Sequence, residues 1–194
     1  MDVMEAILGR RSIRKFKSTP VSPEKLETVL EAARQAPSWA NSQCWRFVVV
    51  TEQEPKDLLA RSFLSRDPSR ENRGAVAVRT APITIVACAQ KRKSGYSSGG
   101  TPLTARGEWS MYDVGLAMQN LVLAAYAVGL GTVHIGLFDH KKVEEVLGVP
   151  EGIEVVSMTP LGYPDEEIAP RPRKELKEIV FYNRYGEGVG HIRP

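Results

Sequence analysis

Apolar residues recur along this chain at two spacings, one helical and one extended. Between Val3 and Leu8 they repeat as on one face of a helix, which predicts a short helix that runs into a basic segment. A second helix is predicted from its N-cap Ser22, with Pro23 at the first helical position, to just before Pro37. Asp139 similarly predicts the start of a helix that ends at residue 147.

Four short apolar runs predict strands. Residues 46–51 contain the unbroken run Phe47 to Val50, which is typical of a strand covered on both faces, and residues 83–89 suggest the same. Residues 132–135 and 153–158 predict two further strands. Residues 112–128 are apolar nearly all round and predict a helix enclosed by protein. Their apolar core is shorter than the roughly 20 residues that cross a bilayer, so we expect no membrane span.

Helices and strands alternate without an internal repeat, which predicts one α+β domain over residues 1–194, a sandwich with a central sheet and surrounding helices. Residues 91–107 are rich in Gly, Ser, Lys and Arg and form either a lid or a disordered surface loop. Residues 174–194 are charged with scattered aromatics and are expected to pack as a C-terminal arm.

Composition and charge indicate which class of ligand and which cellular compartment suit this chain. The 194 residues are 42% hydrophobic and 25% charged, with a net charge of +3 spread along the chain. This small net positive charge does not indicate binding to nucleic acid, and it suits a small anionic ligand. The two cysteines, Cys44 and Cys88, have no metal or redox spacing. Together with an N-terminus unlike an export signal, they predict a reducing, cytoplasmic setting.

Three polar clusters carry candidate chemistry. The segment Arg10, Arg11, Ser12, Ile13 and Arg14 offers guanidinium groups that bind phosphate bidentately, although a solvated basic turn has the same composition. Residues 171–173 (R-P-R) supply two more arginines. Residues 36–45 form a polar loop with amides and aromatics suited to the edges and faces of a ring.

The order of these clusters resembles the nitroreductase family of FMN-dependent oxidoreductases. The resemblance rests on six pieces: R-R-S-x-R-x-F from Arg10, P-S-x-x-N-x-Q-x-W from Pro37, V-G-L-A-x-Q-N-L-x-L-A-A from Val114, G-L-G-T-V from Gly129, R-P-R from Arg171 and F-Y-N-R-Y-G from Phe181. It spans about residues 4–186. No single piece is specific, but their joint order is.

The resemblance implies a mixed central sheet and an intertwined homodimer, with FMN at the subunit interface and the C-terminal arm on the partner. NADH or NADPH would reduce the flavin, and a small electron-poor acceptor such as a nitroaromatic or quinone would then reoxidise it. No nucleic acid or membrane partner is implied. A separate nicotinamide-binding fold is not needed, and no G-x-G-x-x-G motif lies between a strand and a helix.

The resemblance also assigns roles to individual residues. The ribityl phosphate would be held by Arg10, Ser12, Arg171 and Arg173, with Arg11 beside them. The flavin would be contacted, from the same or the partner chain, by Ser38, Asn41 and Gln43, with Trp39 lining the pocket. Arg14 would lie near N1 and O2 and favour the anionic reduced flavin. The flavin N5 would be approached by His134, Ile135 and Gly136, with the Gly136 N–H as donor.

Several alternatives stay open. The scaffold also hosts reductive dehalogenation and flavin fragmentation, and a non-catalytic flavin protein is a third possibility. His134 is either an acid or a structural residue, while His140 and His191 are interpreted as surface residues. Cys44 replaces the family's usual proline and is either a reactive thiol or inert packing. Asn72 and Arg73 are candidates for flavin contacts without an assigned role.

Overall fold

The computed structural model describes residues 2–65, 67 and 69–187. Within them the chain forms six α-helices and four strands. In chain order these are α1 (Val3–Gly9), α2 (Pro23–Arg34), β1 (Trp45–Val50), α3 (Gln53–Ala60), α4 (Arg73–Thr80), β2 (Ile83–Gln90), α5 (Ser110–Ala127), β3 (Gly131–Thr132), α6 (His140–Leu147) and β4 (Ile153–Gly162). Single 3₁₀ turns lie at Trp39–Asn41 and Leu176–Glu178.

The four strands form one sheet in the order β1-β2-β4-β3, and each neighbouring pair is antiparallel. The predicted α+β class is confirmed. In the described part of the chain, the expected mixed character of the sheet is limited to one isolated parallel bridge between Ser12 and Thr132. That bridge brings the basic segment alongside β3, at one edge of the sheet.

The core has two layers, one on each face of the sheet. Alternate residues of β2 point to opposite faces, so Ile85 and Ala87 pack with α2 and α5, whereas Val86 and Cys88 pack with α3, α4 and α6. All but the last residue of β2 is buried, which confirms the prediction of a strand covered on both faces. Helices therefore cover both faces of the central strand β2.

Two predictions of burial are wrong for the single chain. β1 is an edge strand, with Arg46 exposed and Phe47 only half-buried, because no strand lies outside it. α5 packs on α1, α2 and the sheet without being enclosed all round, and Met111 is 72% and Tyr112 60% exposed. The large apolar side chains of α1, those of Val3, Met4, Ile7 and Leu8, are exposed as well.

The predicted C-terminal arm stays a prediction. Residues 171–179 are exposed, and the final residues of the predicted arm, with His191, lie outside the described residues. His140 is exposed, as predicted, and its ring lies 4.3 Å from that of Phe138. Of the helices in the described ranges, none is long and apolar enough to cross a membrane.

Candidate functional site

The basic segment 10–14 is docked against β3 by backbone contacts and by two close glycines. The Ile13 N–H donates to the Thr132 carbonyl at 2.9 Å, and the Ile13 side chain is buried. A Cβ on Gly131 would lie 2.9 Å from the Cβ of Ile13, and one on Gly9 would overlap the hydroxyl of Tyr126. Glycine at both positions is therefore what lets the segment lie so close to the fold.

A carboxylate far along the chain fixes the end of this segment. Glu166 accepts from the backbone N–H groups of Arg14 at 2.6 Å and Lys15 at 3.1 Å. Its second oxygen lies 3.6 Å from the guanidinium of Arg73, at the start of α4. Glu166 was not predicted from the sequence, because a carboxylate in an irregular stretch carries no local signal of a partner 152 residues away.

The arginines of the segment do not share one role. Arg11 folds back and donates to the carbonyls of Leu8, Gly9 and Arg10 at 2.7, 3.0 and 2.9 Å, so it satisfies the open carbonyls at the end of α1. Arg14 donates to the Ser12 carbonyl at 3.2 Å. The Arg10 guanidinium has no acceptor among the residues that the structure describes. Arg10 is thus the member best placed to take an external anion.

A cavity of about 320 Å³ separates segment 10–14 from residues 164–168. Its lining includes the guanidinium residues Arg10 and Arg11 and the carboxylate residues Glu166 and Glu167. Ligand sites commonly enclose about 300–1,000 Å³. The cavity is therefore at the small end of this range, the size of one end of a nucleotide-sized ligand.

The residues that follow β3 place one free backbone donor at the same corner. Ile135 and Met158 exchange backbone hydrogen bonds at 2.9 and 3.0 Å. The next N–H, that of Gly136, has no acceptor in the described part of the chain, and a Cβ at this position would meet nothing within 4 Å. An acceptor atom on a ligand can therefore approach Gly136 without displacing protein.

His134 lies beside this donor and near Arg10. Surrounding protein atoms disfavour its cationic form and the charge of Arg10 repels a proton, so the pKa of the His134 imidazole is lowered from its ordinary value. The side chain is exposed, so it can line a ligand site.

The predicted flavin-contacting loop, residues 38–44, has an unusual backbone. Ala40, Asn41 and Gln43 have φ values of 45°, 55° and 46°, in the left-handed region. Non-glycine residues there cost about 1–3 kcal/mol each unless the surroundings hold them. The Gln43 N–H donates to the Ser38 hydroxyl at 3.0 Å, and the side chains of Asn41 and Gln43 are exposed. The loop therefore presents two amides to whatever lies outside.

A buried carboxylate on α5 holds this loop in place. Asp113, 1% exposed, accepts from the Trp39 N–H at 3.1 Å, from the Ser42 hydroxyl at 3.2 Å and from the Cys44 thiol at 3.7 Å. It also accepts from Ser94 at 2.7 Å. Asp113 was not predicted as a functional residue, because it lies in an apolar helix and no neighbouring motif marks it.

Residues 91–107 form an ordered loop beside loop 38–44, and the alternative of a disordered excursion is wrong. Tyr96 bridges to Pro102, and the Leu103 N–H donates to the Gly95 carbonyl at 2.8 Å. The indole of Trp109 donates to Thr104 at 3.0 Å and its ring lies 5.4 Å from that of Trp39. The two loops are therefore packed together through aromatic side chains.

Cys44 is packed in the core of this corner. Its thiol is fully buried, and burial together with the negative charge of Asp113 raises its pKa to about 11. Both effects oppose the thiolate, which is the reactive form of cysteine. The structure favours inert packing for Cys44 over a reactive thiol.

This gives a first prediction for a Cys88→Ala variant, in which Cys44 is the single cysteine. A pKa of about 11 leaves about one thiolate in a thousand at pH 8. We expect folded protein to react with a thiol reagent at least about a hundredfold more slowly than unfolded protein. Rapid stoichiometric labelling of folded protein would show that the thiol is accessible and reactive.

The two predicted contact regions lie at opposite corners of the sheet. Loop 38–44 leads into Trp45, which pairs with Ala89 and through it with Glu154, whereas β3 pairs with Gly162 at the far end of β4. At about 3.3 Å per residue along a strand and about 4.8 Å between strands, the two corners are about 30 Å apart. One chain therefore does not bring segment 10–14 and loop 38–44 together.

Arg171 and Arg173 are the remaining predicted ligands of the phosphate. Arg171 and Arg173 are exposed, and Arg173 donates to the backbone carbonyls of Arg171 and Pro172 at 3.2 and 3.4 Å. Among the described residues, no hydrogen bond links them to segment 10–14. Their shared phosphate role stays a prediction from the resemblance.

Known proteins provide an independent comparison. The profile described as "Nitroreductase family" matches residues 7–163. A putative NADH dehydrogenase/NAD(P)H nitroreductase of Archaeoglobus fulgidus is 32% identical over 170 residues, covering 86% of this chain and 87% of the relative. An NADPH-flavin oxidoreductase of Vibrio harveyi is 32% identical over 193 residues, covering 96% of this chain and 75% of the relative.

Solved structures agree with these sequence matches. A nitroreductase family protein of Clostridium novyi NT has a TM-score of 0.76 at 33% identity, with 96% of each chain covered. An FMN-dependent nitroreductase of Clostridium difficile R20291 has a TM-score of 0.76 at 27% identity, covering 93% of this chain and 99% of that one.

Sibling chemistries also occur among the relatives. A 5,6-dimethylbenzimidazole synthase of Rhodospirillum rubrum is 30% identical over 188 residues, covering 90% of this chain and 86% of the relative. An iodotyrosine deiodinase of Thermotoga neapolitana is 27% identical over 192 residues, covering 91% and 95%. The matches span nearly the whole chain and share one fold, and they show that the chain belongs to the nitroreductase family.

Proposed function

We propose that the protein is an FMN-dependent oxidoreductase that passes electrons from NADH or NADPH to an electron-poor small molecule, such as a nitroaromatic or a quinone. One observation carries the proposal: the uncommitted guanidinium of Arg10 and the uncommitted N–H of Gly136 lie at the same edge of the sheet. These groups suit the two ends of a flavin nucleotide, an anionic phosphate and a ring nitrogen that accepts a hydrogen bond.

The residues at this corner fit FMN. Arg10 and Ser12 would hold the phosphate, Arg14 would place a positive charge beside the ring, and Gly136 would donate to N5. When bound, FMN supplies the transfer of hydride and electrons. The chain's own groups orient it and stabilise its negative charge. Arg171 and Arg173 are assigned to the same phosphate on the resemblance alone.

We further propose that two copies build each site. Loop 38–44 lies about 30 Å from segment 10–14 by strand geometry, so Ser38, Asn41 and Gln43 would reach the flavin from the partner subunit. Exposed apolar side chains on two helices are available for such pairing, since α1 exposes Val3, Met4, Ile7 and Leu8 and α5 exposes Met111 and Tyr112. Exposed apolar patches mark interaction sites.

A cytoplasmic location is part of the same proposal. Both cysteines, Cys44 and Cys88, are free and buried. Disulfides are rare in reducing compartments, and free thiols fit such a setting.

Arg14 provides a second prediction, because its charge would stabilise the reduced, anionic flavin. We expect Arg14→Met to lower the two-electron midpoint potential of bound FMN by roughly 30 mV, which corresponds to about 1.4 kcal/mol. Spectroelectrochemical titration measures this shift, with Lys15→Met as the matched control for loss of a neighbouring exposed charge. An unchanged potential in Arg14→Met that still binds FMN would remove Arg14 from this role.

The proposed function is tested by anaerobic titration of the FMN-loaded protein. NADH or NADPH should bleach the flavin, and a quinone or a nitroaromatic should restore its colour with multiple turnovers. Failure to bind FMN would overturn the proposal. Binding without bleaching would indicate a non-catalytic flavin protein, and turnover of a halophenol in place of the other acceptors would indicate a dehalogenase.

A further inference from the structure

Asp113 accepts hydrogen bonds from two separate loops. One oxygen, Oδ2, lies 2.7 Å from the Ser94 hydroxyl in loop 91–107 and 3.2 Å from the Ser42 hydroxyl in loop 38–44. The Trp39 N–H donates to both oxygens, at 3.1 and 3.2 Å. The carboxylate therefore joins the loop with the exposed amides to the loop predicted to act as a lid.

The environment of this carboxylate is unusual. Asp113 is 1% exposed, and in the described ranges no lysine, arginine or histidine lies within ion-pair distance of it. A buried carboxylate without a cation is kept only where several donors converge on it. Here the donors are the Trp39 N–H and the hydroxyls of Ser42 and Ser94, all in loops. The buried charge is therefore stable only in the loop conformations that bring these donors to it.

Loop 38–44 needs such an anchor. Three of its residues, Ala40, Asn41 and Gln43, have left-handed backbone conformations that side chains disfavour. Asp113 bonds the residue before this stretch, Trp39, and Ser42 within it. The amides of Asn41 and Gln43 are thereby held outward in one arrangement.

We propose that Asp113 is a positioning residue that sets loop 38–44 for flavin contact and couples it, through Ser94, to loop 91–107 at the entrance for the acceptor. The inference rests on the proposed function, because it takes FMN as the ligand of loop 38–44. Asp113 itself touches neither the flavin nor the acceptor. Loss of the carboxylate should therefore release both loops, whereas loss of the Ser94 hydroxyl should release only their link.

Hydrogen–deuterium exchange on the cofactor-free full chain tests the structural half. Asp113→Asn keeps the shape but removes the charged acceptor, and we expect exchange to rise in peptides covering 38–44 and 91–107 while the sheet stays protected. Val143→Ala, a buried α6 residue in the opposite core layer, controls for general loss of stability. Equal exchange of both loops in Asp113→Asn and wild type would overturn the proposal.

FMN affinity and steady-state kinetics test the functional half. We expect the FMN dissociation constant to rise about tenfold in Asp113→Asn and further in Asp113→Ala, as for loss of charge-assisted hydrogen bonds. We expect Ser94→Ala to leave FMN affinity within twofold and to raise the acceptor KM at unchanged kcat. Raised exchange with unchanged FMN affinity would overturn the positioning role. A wild type that binds no FMN would instead refute the proposed function, and the exchange experiment would still decide the coupling.

Discussion

Arg10→Ala should raise the FMN dissociation constant about a hundredfold, the largest binding effect that we expect from a single substitution. Arg10 has no acceptor among the described residues, and it lines the cavity at the edge of β3. A bidentate, charge-assisted pair with phosphate is lost in the variant, and each such hydrogen bond contributes about 1.5–3 kcal/mol. Fluorescence titration of apoprotein with FMN measures the change.

Arg11→Ala is the matched control for this experiment. Arg11 donates to three carbonyls at the end of α1, so its loss should lower the melting temperature and change FMN affinity by less than about threefold. The same titration with riboflavin, which lacks the phosphate, should show no difference between Arg10→Ala and wild type. Equal losses of FMN affinity in both arginine variants would refute the division of labour in segment 10–14.

Gly136→Pro should lower kcat/KM by about 10- to 100-fold, the largest effect that we expect on turnover. Proline removes the one backbone N–H proposed to donate to flavin N5, and loss of a donor at a reacting centre commonly has an effect of this order or larger. Stopped-flow reduction of the loaded protein by NADH or NADPH isolates the step. The FMN dissociation constant should rise much less than it does in Arg10→Ala.

Gly136→Ala controls for the added atoms. It keeps the N–H, and a Cβ at this position meets nothing within 4 Å, so we expect activity within about twofold of wild type. A Gly136→Ala variant as slow as Gly136→Pro would show that bulk at this position is what matters. A fully active Gly136→Pro would show that the N–H has no role in turnover.

Local sequence signals predicted the elements that carry their own boundary residues. Ser22 with Pro23 begins α2, and Asp139 with Gly148 bounds α6, because caps act on backbone groups within one turn. The α3 and α4 helices were missed. Each has only eight residues, and α3 lacks a capping side chain, so neither repeats its apolar pattern enough times to stand out.

Contacts between distant parts of the chain could not be predicted. Arg10, Ser12 and Gly136 were found through motifs, and the structure places them at one edge of the sheet. Glu166 and Asp113 were missed, since each acts on a loop more than 60 residues away and resembles any other acidic residue in the sequence. The orientation of side chains is equally hidden, and for this reason Arg11 was grouped with its neighbours.

Burial was overestimated in β1 and α5. The runs in β1 and α5 are apolar, and this was taken to mean burial within one chain. In the single chain Phe47 is half-buried and Met111 is exposed. Apolar patterning alone does not distinguish a face buried within one chain from a face that another chain would cover.

We infer that each flavin is held by segment 10–14 of one subunit and loop 38–44 of the other. Two variants test this arrangement, and each removes the proposed flavin contacts of one of these two regions. Arg10→Glu reverses the phosphate-binding charge. Asn41→Gly with Gln43→Gly removes both amides, and glycine accepts the left-handed backbone at these positions. Each variant alone should bind FMN poorly.

The decisive measurement is the FMN content of a heterodimer with one copy of each variant, produced by co-expression with two different affinity tags. A shared site predicts one undamaged and one doubly damaged site per dimer. The heterodimer should therefore bind one FMN with wild-type affinity and regain about half of the wild-type activity. A heterodimer that binds no FMN, like its two parents, would contradict the account, because each chain would then have to build its flavin site alone.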